Sequence, residues 1–84
     1  MNLEFLTSEV CKIAKEGGHF LAQERKTFRK DRVEEKNAHD YVSYVDKETE
    51  KLLVARLSQI LPQAGFITEE DTVAFEKKEY YWVI

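Results

Sequence analysis

The chain has 84 residues, with 13 lysines and arginines against 16 aspartates and glutamates, and a formal charge of -3. Its 43% hydrophobic and 12% aromatic content excludes a disordered segment and indicates a soluble globular piece. A chain of this length holds at most one domain and buries only about 60% of the surface that its unfolded form exposes. No basic stripe favours nucleic acid and no apolar run approaches a membrane span of roughly 20 residues, so neither partner is expected.

The single cysteine, Cys11, cannot form an intrachain disulfide. Its place in an apolar-periodic stretch predicts a buried thiol in a reducing compartment. Glu4 and Glu9 stand where a signal peptide would carry lysine or arginine. The expected location is therefore the cytoplasm.

The first predicted element is a long amphipathic helix over about residues 3–29, because apolar residues recur every three or four positions from Leu3 to Phe28. Gly17 and Gly18 weaken it, since each glycine costs about 1 kcal/mol relative to alanine inside a helix. The pair could end a first helix, or could lie where another helix approaches closely. The apolar phase continues across the pair, which favours one helix.

Aromatic and β-branched residues near 40–44 predict a short strand. Ser43 and Asp46 then fit a capping-box pattern, which predicts a second helix over about 45–61. Pro62 ends that helix.

Three further strands are predicted near 65–68, 72–76 and 80–84. The last is continuously apolar, from Tyr80 to Ile84, and suits a central strand covered on both faces. A natural domain rarely ends inside such a strand. The sequence therefore indicates an α+β piece of a longer protein.

The chemically informative residues are acidic: Asp40, Asp46 and the run Glu69-Glu70-Asp71. Carboxylates that follow a strand can bind Mg²⁺, which prefers oxygen ligands. Taken alone, three consecutive acids are more often a solvated turn, and Asp46 is equally well explained as a helix-start residue. Zinc-site spacing, a nucleophilic-serine motif and a phosphate-binding glycine-rich loop are all absent from the sequence.

The order of the segments along the chain favours the metal site over the solvated turn, because together these segments resemble the N-terminal third of the inositol monophosphatase family. The family pattern is roughly a lysine, D-x-V-T-x-x-D with a glutamate in the next helix, a G-E-E or S-E-E step, and W-x-(I/V) leading into D-P-(I/L)-D-G-T. The matching residues run from Lys36 through Asp40-Tyr41-Val42-Ser43-Tyr44-Val45-Asp46, Glu50 and Phe66-Ile67-Thr68-Glu69-Glu70 to Tyr81-Trp82-Val83-Ile84.

The resemblance implies a role for each matching residue. Glu69 corresponds to the glutamate that binds the catalytic Mg²⁺, with Glu70 in support. Asp46 corresponds to the aspartate near the nucleophilic water and a more weakly held metal, with Lys36 and Ser43 close by. These five residues are the predicted site.

Three features depart from the family pattern. Thr68 stands where glycine is commonest and Ser43 where threonine is commonest, and both exchanges leave the metal interpretation intact. The chain ends at Ile84, just before D-P-x-D-G-T would supply two metal-binding aspartates and a threonine that faces the phosphate. The resemblance therefore implies a Mg²⁺-dependent phosphomonoesterase, acting on inositol monophosphate or a similar small phosphate ester, of which this chain alone would be inactive.

The fold implied is α+β, with two helices packed on a few strands as the first part of a layered α/β/α/β/α sandwich. Residues 1–84 would form a single partial domain. An unpaired strand edge at Tyr80–Ile84 predicts a homodimer or other self-association. The expected partner is a small phosphate ester, with no nucleic acid and no membrane.

Two alternatives remain open. Glu69-Glu70-Asp71 also resembles the S-E-E-D step of a bisphosphate nucleotidase. The chain could instead be a complete small interaction module whose helices and last strand bind a partner. A coding sequence that continues into D-P-x-D-G-T would exclude the module.

Overall fold

The computed structural model describes residues 1–27 and 35–84, and the side chains of residues 1–26 and 41–84. In chain order the elements are helix α1 (Leu3–Thr27), helix α2 (Glu35–Ile60), strand β1 (Gly65–Ile67) and strand β2 (Tyr81–Val83). This arrangement confirms the predicted α+β class. Neither described helix combines the length and the apolarity that a membrane crossing requires.

Helix α1 begins where Asn2 Oδ1 accepts a hydrogen bond of 2.9 Å from the backbone N–H of Phe5. Leu6 and Ile13 lie on its buried face. Leu3 lies on the same predicted stripe but is 69% exposed. The helix matches its predicted range to Thr27, and residues 28–29 of that range lie outside the described residues.

The two central glycines lie inside α1, so the prediction of one continuous helix is confirmed. A Cβ atom at Gly17 would lie 3.3 Å from Cδ2 of Leu53 on α2, whereas one at Gly18 would meet nothing within 4 Å. Gly17 is therefore a point of close approach between the helices. Arg56 of α2 also donates a hydrogen bond of 2.8 Å to Oε2 of Glu16 on α1.

Helix α2 begins at Glu35, so the strand predicted near 40–44 is wrong. The capping role predicted for Ser43 and the helix-start role considered for Asp46 are wrong too, because both residues lie inside the helix. Contact with α1 overrides the local β propensity: the Tyr41 hydroxyl lies 2.9 Å from the backbone oxygen of Glu24 and donates a hydrogen bond to that residue.

Helix α2 ends at Ile60, one residue before the predicted limit, and a turn at Pro62 leads into β1. The two strands are parallel, with Gly65 opposite Tyr81, Phe66 opposite Trp82 and Ile67 opposite Val83. They are shorter than the predicted ranges 65–68 and 80–84 but lie within them.

Residues 72–76 form no strand, so that prediction is wrong. The segment finds other partners. Thr72 is hydrogen-bonded to Glu50, and the Phe75 ring stacks on the Tyr81 ring with centroids 5.5 Å apart. These side-chain contacts replace the backbone pairing that the alternating pattern predicted.

The core lies between the helices and one face of the sheet, where Ile13, Leu57 and Phe66 are buried and Trp82 packs against them. Side chains alternate along a strand, so Ile67 and Val83 point to the other face. These two residues are 47% and 76% exposed. The outer face of the last strand is therefore uncovered in the described residues.

The Cys11 thiol is exposed, so the prediction of a buried thiol is also wrong. Its neighbour Val10 and the residue two positions later, Ile13, pack into the core. Successive helix positions are separated by about 100°. Cys11 is therefore turned out of the stripe that contacts the sheet.

Candidate functional site

The acidic run follows β1 at the carboxyl edge of the parallel strand pair. The Ile84 backbone N–H donates to the oxygen of Ile67 at 2.9 Å, and the Glu69 N–H donates to the oxygen of Ile84 at 3.1 Å. Backbone pairing therefore continues past the strands and holds Glu69 beside Ile84. The carboxyl ends of parallel strands are the usual place for ligand sites in open α/β sheets.

A single buried carboxylate shapes the turn after β1. Glu50 of α2 is 3% exposed. Its Oε1 accepts a hydrogen bond of 2.8 Å from the backbone N–H of Glu70, and its Oε2 accepts one of 3.0 Å from the backbone N–H of Thr72. The Thr72 hydroxyl donates a further, short hydrogen bond to the same Oε2. Both carboxylate oxygens are thus occupied by groups of the turn.

These hydrogen bonds decide the charge of Glu50. Burial alone raises the pKa of a carboxyl group, because it removes solvent from the ionised form. Hydrogen bonds from the Thr72 hydroxyl and from the backbone N–H groups of Glu70 and Thr72 outweigh burial, and the pKa of Glu50 is lowered below 4.5. Glu50 is therefore an ionised carboxylate inside the protein.

The turn itself contains a residue with a left-handed backbone conformation. Asp71 has a φ of 53°. Aspartate tolerates this region better than most residues that carry a Cβ atom. The conformation places the Glu70 and Thr72 N–H groups, on either side of Asp71, on one carboxylate.

The predicted metal ligand is separate from this buried network. Glu69 is exposed, and it has no salt-bridge partner among the residues that the structure describes. Glu70 is half-buried, and Asp71 is exposed. Glu69 therefore offers its carboxylate oxygens to solvent at the sheet edge, while Glu50 has none to spare for a ligand.

The other predicted residues lie along α2. Ser43 is half-buried and Asp46 is exposed. Positions 43, 46 and 50 have the i, i+3, i+7 spacing of one helix face, so Ser43 and Asp46 share the side of α2 that carries Glu50. Lys36 belongs to the first turns of α2, and its side chain lies outside the described residues. Asp46 also lines a small cavity of about 200 Å³ between α1 and α2, with Leu21.

Sequence reasoning missed the contribution of Thr72 and the contact of Glu50 with the turn. The strand predicted over 72–76 gives Thr72 no side-chain role, and no local pattern distinguishes it from other threonines. The family pattern includes Glu50 but does not indicate its partners. The donors at Glu70 and Thr72 lie 20 and 22 residues after Glu50, and no sequence spacing indicates that they meet.

Comparison with known proteins decides the family. The sequence profile of the inositol monophosphatase family matches residues 2–84. The chain belongs to the inositol monophosphatase family.

Two curated relatives are similar to the chain. The chain is 35% identical over 77 residues to "Fructose-1,6-bisphosphatase/inositol-1-monophosphatase" of Aquifex aeolicus (strain VF5), an alignment that covers 90% of this chain and 29% of the relative. It is 31% identical over 72 residues to "Nus factor SuhB" of Vibrio cholerae serotype O1 (strain ATCC 39315 / El Tor Inaba N16961), covering 84% of this chain and 27% of that protein. The chain thus spans less than a third of the length of these curated relatives. No solved structure matches it significantly.

The donor set of this inositol monophosphatase family chain fits Mg²⁺ in part. Glu69 supplies an exposed carboxylate of the hard oxygen type that Mg²⁺ prefers, and Mg²⁺ commonly uses only one or two protein carboxylates beside water and phosphate oxygens. No group of three or more metal-ligating side chains occurs within the described residues. The geometry is that of one contributor to a metal site.

Proposed function

We propose that this chain is the N-terminal part of a Mg²⁺-dependent phosphomonoesterase that hydrolyses inositol monophosphate or a similar small phosphate ester. The observation that carries the proposal is the pairing of the Glu69 N–H with the oxygen of Ile84. Residues that follow Ile84 in the family pattern are the two aspartates of D-P-x-D-G-T. The parallel pairing would bring them to the same sheet edge as Glu69.

The proposed roles follow from this placement. Glu69 would hold Mg²⁺, with Glu70 in support, and the aspartates after Ile84 would complete the ligand set. When bound, Mg²⁺ supplies Lewis-acid activation of water and neutralises charge on the phosphate ester. Asp46 would accept a hydrogen bond from the attacking water and orient it, because it is exposed on the face of α2 that carries Glu50.

Two further side chains complete the proposed mechanism. The hydroxyl of Ser43, three positions before Asp46 on the helix, would hydrogen-bond to the same water or to the Asp46 carboxylate. The ammonium group of Lys36 would balance the negative charge of the phosphate. Glu50 would take no part in proton transfer, since both of its oxygens already accept hydrogen bonds.

We propose that the 84-residue chain alone has no significant activity. Mg²⁺ catalysis of phosphoryl transfer needs several ligands that hold the ion and the substrate together. The described residues bring no group of three or more metal-ligating side chains together. The proposed location is the cytoplasm, where the exposed Cys11 thiol would stay reduced.

The test is phosphate release from inositol 1-phosphate with and without millimolar Mg²⁺. It compares this chain with a longer polypeptide read through the parent reading frame. We expect Mg²⁺-dependent release by the longer polypeptide only. Release by the 84-residue chain would contradict its proposed inactivity, and no release by either would contradict the phosphatase proposal.

The same phosphate-release assay also identifies the preferred substrate of the longer polypeptide. The Aquifex relative is named for both fructose 1,6-bisphosphate and inositol 1-phosphate hydrolysis. The Glu69-Glu70-Asp71 run also fits a bisphosphate nucleotidase. Side-by-side kcat/KM values for inositol 1-phosphate, fructose 1,6-bisphosphate and a nucleoside bisphosphate would discriminate among the three, and we expect inositol 1-phosphate to be preferred to the nucleotide.

A further inference from the structure

We propose that Glu50 and Thr72 are positioning residues that fix the turn after β1 and thereby hold the Glu69 carboxylate in the direction needed for metal binding. This inference rests on the proposed function for the metal-binding role of Glu69. The conformation of the turn can be tested without metal or substrate.

The turn after β1 is held by hydrogen bonds to a helix as well as by its own strand. Residues 68–72 contain no regular secondary structure, and the backbone N–H groups of a turn need partners. Two of those groups, at Glu70 and Thr72, are bonded to the same Glu50 side chain. The turn is therefore tied to α2 and not only to its own strand.

The contact between Glu50 and the turn is rigid. Glu50 is a buried helix residue, so its side chain has little freedom to follow a moving turn. Hydrogen bonds that involve an ionised group are shorter and stronger than neutral ones. The two N–H groups and the hydroxyl define the orientation of the turn on both sides of Asp71.

Hydrogen bonds on both sides of Glu69 connect this residue to the turn. The Glu69 N–H is bonded to Ile84, and the next N–H, at Glu70, is bonded to Glu50. The Glu69 backbone is thus fixed on one side by the sheet and on the other by α2. Its side chain then leaves a defined backbone position, which reduces the ordering cost of binding a cation. Groups that orient a ligand typically change metal affinity about 10- to 100-fold when they are removed.

The experiment uses the isotope-labelled chain in solution. Backbone amide relaxation of residues 69–72 is measured without metal in the wild-type chain and in Glu50→Gln, Thr72→Val and Thr72→Ser. Glutamine has the shape of glutamate but presents an NH₂ group where Oε1 or Oε2 accepted a hydrogen bond. We expect a rigid turn in the wild-type chain and in Thr72→Ser, and a mobile turn in Glu50→Gln and Thr72→Val, with the amides of α1 unchanged.

The control is Glu48→Gln, which removes the same charge from the same helix. Glu48 pairs with Lys51 at 3.7 Å, away from the hydrogen bonds that Glu50 makes with the turn. We expect its turn to remain as rigid as that of the wild-type chain. A turn that is equally rigid in Glu50→Gln, or equally mobile in the wild-type chain, overturns the proposal.

A second readout uses Mn²⁺ as the probe, followed by paramagnetic broadening of the Glu69 amide. We expect about tenfold weaker binding in Glu50→Gln and Thr72→Val, and wild-type affinity in Glu48→Gln and Thr72→Ser. Equal affinity in all variants overturns the positioning role. If the broadening persists in Glu69→Gln, Glu69 does not bind the metal, and the proposed function is contradicted at that residue. The relaxation data then test by themselves whether Glu50 and Thr72 fix the turn.

Discussion

Glu50 combines deep burial with a full negative charge, and the balance between the two is set by the turn after β1. Desolvation raises the pKa, while hydrogen bonds from Thr72 and from the Glu70 N–H lower it further than burial raises it. The charged form is therefore the one that the folded chain favours. Because the donors belong to the turn, protonation of Glu50 would weaken the contact between α2 and that turn.

This balance predicts the pH dependence of stability. The folded-state pKa of Glu50 lies below its usual value of 4.5, so the unfolded chain binds this proton first as the pH falls. The stabilisation from ionised Glu50 is complete above about pH 4.5 and is lost as the pH falls through the folded-state pKa. Urea unfolding between about pH 7 and pH 3 should show a falling free energy of unfolding at the acid end, with a shallower fall in Glu50→Gln.

Glu48→Gln serves as the matched control in that series, since Glu48 lies on the same helix and its carboxylate pairs with Lys51 at 3.7 Å. We expect its pH dependence to follow that of the wild-type chain. Identical slopes in Glu50→Gln and the wild-type chain would contradict the assignment of the acid-labile contact to Glu50.

The two helices approach closely at Gly17. A Cβ atom at Gly17 would lie 3.3 Å from Cδ2 of Leu53, so that side chain would have to shift by a few tenths of an ångström, while a Cβ atom at Gly18 would meet nothing within 4 Å. The two adjacent glycines therefore have different surroundings. Only at Gly17 does a neighbouring side chain oppose a larger residue.

Alanine substitutions at the two glycines give a prediction in which Gly18→Ala is the control for Gly17→Ala. Gly18→Ala should raise the free energy of unfolding by about 1 kcal/mol, because alanine has the higher helix propensity. Gly17→Ala should fall short of that gain by about 0.5 kcal/mol or more, since Leu53 must shift to admit the new methyl group. Chemical denaturation of both variants gives the comparison. An equal gain at both positions would show that the helices do not approach closely at Gly17.

The sequence predicts some elements well and others poorly, for physical reasons. Helix α1 follows from an unbroken apolar period, and β1 and β2 follow from short apolar runs bounded by turn residues. The start of α2 could not be read locally, because Tyr41 contacts α1 and overrides the β propensity of its neighbours. The segment 72–76 alternates like a strand, yet its Thr72 is bonded to a helix residue far away in sequence.

In the predicted site, too, motif order identifies candidate residues but not the contacts between distant parts of the chain. Glu69 and Asp46 could be named from motif order, and the structure places Glu69 at a strand end as that order requires. The hydrogen bonds that shape the turn depend on the packing of α2 against it. No periodicity or spacing in the sequence predicts that packing.

The outer face of the sheet exposes large apolar side chains to solvent in the described residues. Ile67 and Val83 are opposite each other in the register and are 47% and 76% exposed. Parallel sheets are normally covered on both faces. In the described chain the helices cover one face only, which leaves an apolar face and unpaired strand edges.

We expect this face to drive self-association of the 84-residue chain. Sedimentation velocity should show an average mass that rises with concentration, and Val83→Lys should reduce that rise because it puts a charge in the contact. Val42→Lys is the control, since Val42 is a valine 54% exposed on α2, away from the sheet. A concentration-independent mass for the wild-type chain, or equal effects of the two lysines, would contradict this assignment.

Glu69→Gln tests most directly the proposed role of Glu69 as the metal-binding carboxylate that this chain contributes to a phosphomonoesterase. The assay is Mg²⁺-dependent phosphate release from inositol 1-phosphate by the longer polypeptide. Glu79→Gln, which changes an exposed glutamate in the 72–80 segment, is the control. We expect loss of activity in Glu69→Gln, partly restored at high Mg²⁺, and wild-type activity in Glu79→Gln. Full activity with an unchanged Mg²⁺ dependence in Glu69→Gln would show that Glu69 does not bind the catalytic metal.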